Sequence, residues 1–311
     1  YKPQGIFMLT TCVPEITGED FSSVAKVLTK NYNIPIECVH TEHFRCNSHL
    51  LGIENVLTSC ANFMEEQQQT NSINILGEKN QNNELINILK DNNIDINLCL
   101  PSNCSIEEIK KAPRAKLNIV CSRMALNLAK KMEAKFNIPY VSFVYRCSVD
   151  EIDEGYKEIF NIFDISLPNK LEDIKNETIA KIENAKTLLN GSSFILGISK
   201  VETFAVVNFL CNLRLTPKLI QIKDIYPEDK EFIEKILKNT DPYITISANL
   251  SGVAEIIPEL LPNFYIGPIQ ANILQKYNIK QLTFSKTTNY LGFELLNHII
   301  EVFESKIKKE V

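Results

Sequence analysis

Lys116-Leu117-Asn118-Ile119-Val120-Cys121-Ser122 is the stretch whose reading decides the fold. Its apolar run ends on a thiol, and Ser122 to Phe136 continues with a helical pattern into Asn137-Ile138-Pro139-Tyr140. A strand that passes to a helix through a cysteine puts that thiol beyond the carboxyl end of the strand, where α/β proteins display their chemistry. The helix dipole at such a point favours the thiolate, the form that binds metals. Thr10-Thr11-Cys12 repeats the arrangement. Gly5 to Thr11 reads as a strand, Cys12 ends it, and Glu15-Ile16-Thr17-Gly18-Glu19-Asp20 starts the next helix.

Outward from these two points, short apolar runs alternate with amphipathic helices, the pattern of parallel sheets covered on both faces. Strands are predicted at 5–10, 34–39, 73–77, 95–99, 116–120, 140–145, 194–197, 217–222, 243–247, 263–266 and 280–284. Helices are expected at 19–31, with Phe21, Val24, Val27 and Leu28 on one face, at 49–67, at 168–189 and from Gly292 to Lys309. Thr17 with Asp20, Ser105 with Glu108 and Ser148 with Glu151 have capping-box spacing. The expected domains are 1–68, a Rossmann-like lobe carrying Cys12, then 69–167, a second lobe carrying Cys121. A helical connector and a third Rossmann-like lobe follow over 168–311. Gly-x-Gly-x-x-Gly and Walker patterns are absent, so the fold is not read as nucleotide-binding.

The chain of 311 residues is 44% hydrophobic, ample for several α/β cores. A net charge of −5 without a basic run argues against nucleic acid as partner. No stretch approaches the roughly 20 apolar residues of a membrane span, and no signal peptide is visible. Nine cysteines, an odd number, fit a reducing, cytoplasmic compartment and metal or buried thiols rather than disulfides. Cys38, Cys60, Cys99 and Cys211 lie in apolar stretches and read as core. Cys104, in the polar Pro101-Ser102-Asn103 loop, reads as exposed. No Cys-x-x-Cys or His-rich spacing supports zinc.

The two cysteine segments also carry a resemblance. Thr10-Thr11-Cys12 with Glu15 to Asp20, and Leu117 to Ser122 with Met132-Glu133-Ala134-Lys135-Phe136-Asn137-Ile138-Pro139-Tyr140, resemble two motifs of the nitrogenase component 1-type oxidoreductases. The cysteine-to-Ile-Pro spacing is the α-type pattern and is closest to the subunit that acts as a cofactor-assembly scaffold. The resemblance implies stacked Rossmann-like lobes with parallel sheets flanked by helices. It implies Cys12 as ligand of an interface iron–sulfur cluster, of the [4Fe-4S] kind. Cys121 is implied as ligand of the cofactor, either a second metal cluster or a tetrapyrrole. It further implies an ATP-dependent iron protein as electron donor and a homologous second subunit, or a second copy of the chain, as partner. In the family, further cluster cysteines precede the Cys12 motif. The chain, which opens at Tyr1 in mid-pattern, is therefore expected to be a fragment or a cut-down member.

Departures from the family pattern bear on function. In His43-Phe44-Arg45-Cys46-Asn47-Ser48-His49-Leu50-Leu51-Gly52-Ile53, His49 takes the position of a glutamine and Ile53 that of a histidine beside the catalytic cofactor. Ile53 donates neither a hydrogen bond nor a proton. In Gly197-Ile198-Ser199-Lys200 only Lys200 supplies a positive charge, and no histidine falls near Phe284-Ser285. His298 reads as a surface or packing residue. These departures argue against dinitrogen reduction. Cys46 and Cys147 replace family glycines that face the cofactor cavity. Either they join Cys121 as soft ligands of a cluster, or they are glycines drifted to another small residue. Cys121, Cys46, His49, Cys147 and Lys200 are expected to converge on one pocket. No residue is singled out as catalytic. Three functions compete: a reductase of an unassigned substrate such as a tetrapyrrole or small thioether, a scaffold that builds or holds a metal cofactor, and a binding module that has lost its clusters.

Overall fold

The computed structural model describes residues 2–41, 50–78, 84–102, 104–197, 203–246, 250–284 and 290–307. The sequence-predicted positions Cys46, His49 and Lys200 lie outside them. The chain divides into two compact units, Tyr1–Asn82, Ile86–Val144 and Glu158–Ile165 in the first, and Asn83–Leu85, Tyr145–Lys157 and Ser166–Val311 in the second.

The elements run in order as β1 (Ile6–Thr10), α1 (Cys12–Thr17), α2 (Phe21–Tyr32), β2 (Ile36–His40) and α3 (Leu50–Ser59). Then come β3 (Thr70–Glu78), α4 (Glu84–Asp91), β4 (Asp95–Pro101), α5 (Ile106–Lys110), β5 (Ala115–Val120), α6 (Leu126–Phe136) and β6 (Tyr140–Ser142). Two helices, α7 (Val149–Ile162) and α8 (Asn169–Leu189), lead to β7 (Ser193–Leu196), α9 (Thr203–Asn212), β8 (Thr216–Ile222) and α10 (Lys230–Leu237). The chain continues with β9 (Tyr243–Ile246), α11 (Leu250–Leu260), β10 (Phe264–Ile266), α12 (Ala271–Gln275), β11 (Lys280–Leu282) and α13 (Phe293–Ile307).

The strands form three sheets, β1-β2, β4-β3-β5-β6 and β11-β10-β7-β8-β9, and every strand pair among the described residues is parallel. The expected α/β architecture, parallel sheets flanked by helices, is what the chain adopts. In the second sheet Ile73, Ile75, Leu76, Leu117, Ile119 and Val120 are fully buried, as a strand covered on both faces requires. Polar groups cross the same core as a ladder of amides. Asn97 Nδ2 donates to Asn74 Oδ1 at 2.9 Å, and Asn74 Nδ2 donates to Asn118 Oδ1 at 2.8 Å, one rung on each of β4, β3 and β5.

Several local expectations shift. Ser105 and Glu108 form the predicted capping box at α5, whereas Asp20 caps α2 directly, accepting from the Ser23 amide at 2.9 Å. In α2 the buried residue is Ala25, and Val24 and Val27 face outward at 46% and 57% exposure. Period alone marks a stripe as apolar but not what covers it. Cys60 and Cys99 are buried as expected, but Cys38 and Cys211 are half-buried, and Cys104, read as exposed, is half-buried as well. None of the eight described cysteines is in a disulfide.

Candidate functional site

Cys121 is half-buried at the carboxyl end of β5, an interior strand of the second sheet. Its amide donates to Leu76 O at 2.8 Å, which extends the β3–β5 ladder one residue past the strand. The next residue, Ser122, is extended at φ −144°, and the turn Arg123–Ala125 is 3-10, so α6 starts only at Leu126. The expectation that Cys121 opens a continuous helix is corrected here. The dipole acts within the first turn and so reaches the thiol less directly than it would from a helix opening at Ser122.

Gly77, at the end of β3, lies against this turn with φ +91°. A Cβ there would stand 2.6 Å from Ser122 Cβ and 2.9 Å from Ser122 N. Only glycine lets the two strand ends approach so closely.

Behind the turn, the buried Glu54 of α3 accepts from Arg123 Nη1 through Oε2 at 3.1 Å and from the Asn127 side-chain amide through Oε1. These residues are 69 and 73 positions apart in sequence, and no local pattern announces them.

Cys12 is half-buried and begins α1 rather than ending β1. Around the carboxyl ends of β1 and β2 the polar groups interlock. Glu15 accepts from Thr10 Oγ1 and, at 2.8 Å, from the Thr41 amide, and Thr41 Oγ1 donates to Thr10 O at 2.8 Å. His40 Nδ1 stands 3.9 Å from Glu15 Oε1, while its Nε2 meets Ser22 Oγ at 3.2 Å. The network fixes the start of α1 and hence the backbone that carries Cys12.

Cys147 belongs to the second unit and is buried. Its amide donates to Glu151 Oε2 at 3.2 Å, while Glu151 N donates to Ser148 Oγ at 3.3 Å, so the predicted Ser148–Glu151 cap forms with its return bond displaced by one residue.

The third sheet has its own opening. From β7 the chain proceeds through β8 to β9, then returns to β10 on the other side of β7. That reversal is a topological switch point, where open α/β sheets bind ligands. Gly197 follows β7 there and Gly267 follows β10. The Tyr265 hydroxyl lies 2.6 Å from where a Gly197 Cβ would be and has no hydrogen-bond partner among the described residues. Burial pushes this phenol up to about 12, so it stays a neutral donor.

Among the described residues no group of three or more His, Cys, Asp or Glu stands together as a metal cage. Among the described residues Cys12 and Cys121 therefore each offer one soft sulfur ligand, a fit for a preformed iron–sulfur group that brings its own sulfides and a poor fit for zinc, which takes four protein ligands in structural sites.

A sequence profile of the family described as nitrogenase component 1 type oxidoreductase matches residues 1–291. The chain belongs to this family. Over 251 residues it is 29% identical to the nitrogenase iron-molybdenum cofactor biosynthesis protein NifE of Rippkaea orientalis (strain PCC 8801 / RF-1), covering 76% of the chain and 53% of that relative. It is 26% identical to the NifE of Nostoc sp. (strain PCC 7120 / SAG 25.82 / UTEX 2576), covering 100% of the chain and 68% of the relative. Against the nitrogenase molybdenum-iron protein alpha chain of Clostridium pasteurianum it is 26% identical over 269 residues, 82% of the chain and 49% of that protein. The chain thus spans about half the length of most of the curated relatives it matches. Among solved structures it resembles nitrogenase Cp1 at pH 6.5 with a TM-score of 0.81 at 17% identity, covering 100% of the chain and 76% of Cp1. At that identity the likeness concerns the fold. No helix among the described residues of this family member is long and apolar enough to cross a membrane.

Proposed function

We propose that this family member anchors an iron–sulfur cofactor through Cys121 and serves as a scaffold on which that cofactor is assembled or held. The cofactor is then cargo rather than a resident catalyst. The observation that carries the reading is the half-buried thiol at the open end of β5, on a turn fixed by Gly77 and by Glu54. The relatives named as cofactor biosynthesis proteins support it; so does Ile53, which has no proton to give and which the family resemblance puts where a histidine stands beside the cofactor. Bound there, the group would supply iron for thiolate ligation, and the chain's own residues would orient the sulfur and limit water. The test is an iron and sulfide assay on anaerobically purified wild-type protein and Cys121→Ala. Iron bound by the first and lost from the second supports the reading. Equal iron in both removes it.

A second reading, an electron-accepting subunit, rests on Cys12 and the Thr10–Glu15–His40 network that holds it. On this reading an ATP-dependent iron protein reduces a [4Fe-4S] cluster shared between this chain and a homologous subunit in the cytoplasm. Turnover with an iron protein, ATP and dithionite separates it from the scaffold. If Cys12→Ala leaves the iron content and paramagnetic spectrum of the assembled complex unchanged, Cys12 is not a ligand.

A further inference from the structure

Thr10 and His40 are the last residues of β1 and β2, and the register of the two strands sets them side by side. Two helices bring further groups to this carboxyl edge, where parallel α/β sheets display chemistry. Glu15 comes from α1 and Ser22 from the first turn of α2. Ser22 Oγ stands 3.2 Å from His40 Nε2, while Thr10 Oγ1 stands 3.2 Å from His40 Nδ1 and donates to Glu15 Oε1. One placement of protons satisfies all of these contacts. A carboxylate only accepts, so the Thr10 hydrogen points at Glu15 and the Thr10 oxygen is left to accept from His40 Nδ1–H. The neutral imidazole then carries its lone pair on Nε2, facing the Ser22 hydroxyl. Glu15 itself, 3.9 Å from Nδ1, is too far for a direct hydrogen bond, so Thr10 carries the link. The inner end of this relay is buried, with Thr10 3% exposed, whereas the His40 side chain is 44% exposed and meets Ser22 in the open.

We propose that Ser22 is a nucleophile activated by His40, with Thr10 and Glu15 as positioning residues, and that the site takes small activated acyl esters. An activated nucleophile is recognised by this order of groups, a hydroxyl within reach of a base that a third group orients. Ser22 Oγ attacks the ester carbonyl carbon while its proton passes to His40 Nε2. The bond to the leaving oxygen breaks, the imidazolium returns the proton to that oxygen, and acyl-Ser22 and free alcohol remain. Water then attacks the acyl group by the same route, which releases the acid and restores Ser22. Glu15, acting through Thr10, holds the imidazole in the required tautomer and favours the imidazolium that forms. The Ser22 amide lies in the first turn of α2, among the amides that have no partner within the helix, and is a donor for the oxyanion. The Ser23 amide is not, because Asp20 Oδ1 takes it at 2.9 Å. A site with one such donor suits esters of good leaving groups, such as phenols. The proposal stands apart from the readings of Cys12 and Cys121.

The experiment uses the full chain, purified anaerobically, with p-nitrophenyl acetate as the probe. Phenolate release gives the rate, peptide mass mapping locates the acetyl group, and melting temperature is followed alongside. The wild type is expected to carry the acetyl group on Ser22. Ser22→Ala is expected to lose that label, and His40→Gln to slow its formation about a hundredfold or more. Thr10→Val keeps the shape of a buried side chain without its hydroxyl and is expected to slow acetylation about tenfold or more. Thr10→Ser, which keeps the hydroxyl, is expected to restore the rate. A contact that only held α2 to β2 would give neither the label nor the rescue. Should Thr10→Val fail to fold, His40→Gln, a change at an exposed side chain, decides. An acetyl group found only on lysines or cysteines, a Ser22 label that forms at the wild-type rate in His40→Gln, or a Thr10→Ser rate no better than that of Thr10→Val would overturn the proposal.

Discussion

Glu84 and Glu294 cap one another's helices. The Glu84 amide, at the start of α4, donates to Glu294 Oε2 at 3.0 Å, while Glu84 Oε1 accepts from the Phe293 amide at the start of α13 at 3.1 Å. The Tyr156 hydroxyl adds a second donor to Glu84 Oε1 at 2.9 Å. Each carboxylate thus satisfies an orphan amide of the other's helix, 210 residues away in sequence.

Burial raises the Glu84 carboxyl to about 7, against the pull of Tyr156 and the Phe293 amide, which lower it. A folded value above the unfolded one means that the native state holds the proton more tightly. The stabilisation is present below the usual carboxylate range and is lost as pH rises through about 7. Thermal melts from pH 5 to pH 8 should show stability falling across this window, by up to about 3 kcal/mol from this group. Glu84→Gln should flatten that dependence. An unchanged slope in the variant would mean that the group is not the source.

Gly77→Ala should destabilise the protein by about 2 kcal/mol or more, since the added methyl meets Ser122 Cβ at 2.6 Å in a left-handed backbone. The same variant should bind less iron than the wild type, because the collision falls on the residue after Cys121. Denaturant melts and an iron assay on one preparation check both effects.

Cys60 and Cys121 should respond oppositely to alanine. Cys60 is buried, and burial with the nearby Cys104 pushes its thiol up to about 12, so it is a packing residue whose loss costs about 1 kcal/mol and no iron. Half-buried Cys121 should cost less stability and nearly all of the iron. Parallel melting and metal analysis of the two variants would expose a reversed assignment.

Tyr265→Phe should stabilise the protein by about 1 kcal/mol, because it deletes a fully buried hydroxyl that has no partner among the described residues and leaves the ring in place. The check is a chemical-denaturation midpoint. A loss of stability would show that the hydroxyl is satisfied in solution.

The sequence by itself determined the fold class, because strand and helix periods, apolar runs and caps are written in neighbouring residues. It also marked Cys121 as a strand-end thiol, whereas Cys12 proved to open a helix, and the Ser105–Glu108 box formed as spelled. Tertiary structure alone decided the rest. Val24 and Val27 of α2 carry the period of a core face yet face outward, since period does not say what covers a stripe. Glu54 found Arg123 and Asn127, Glu84 found Glu294, and Tyr265 came to rest over Gly197. Such meetings depend on how remote elements pack, and the charge balance of a buried site is set there, where Coulomb forces are strong and no local pattern records them.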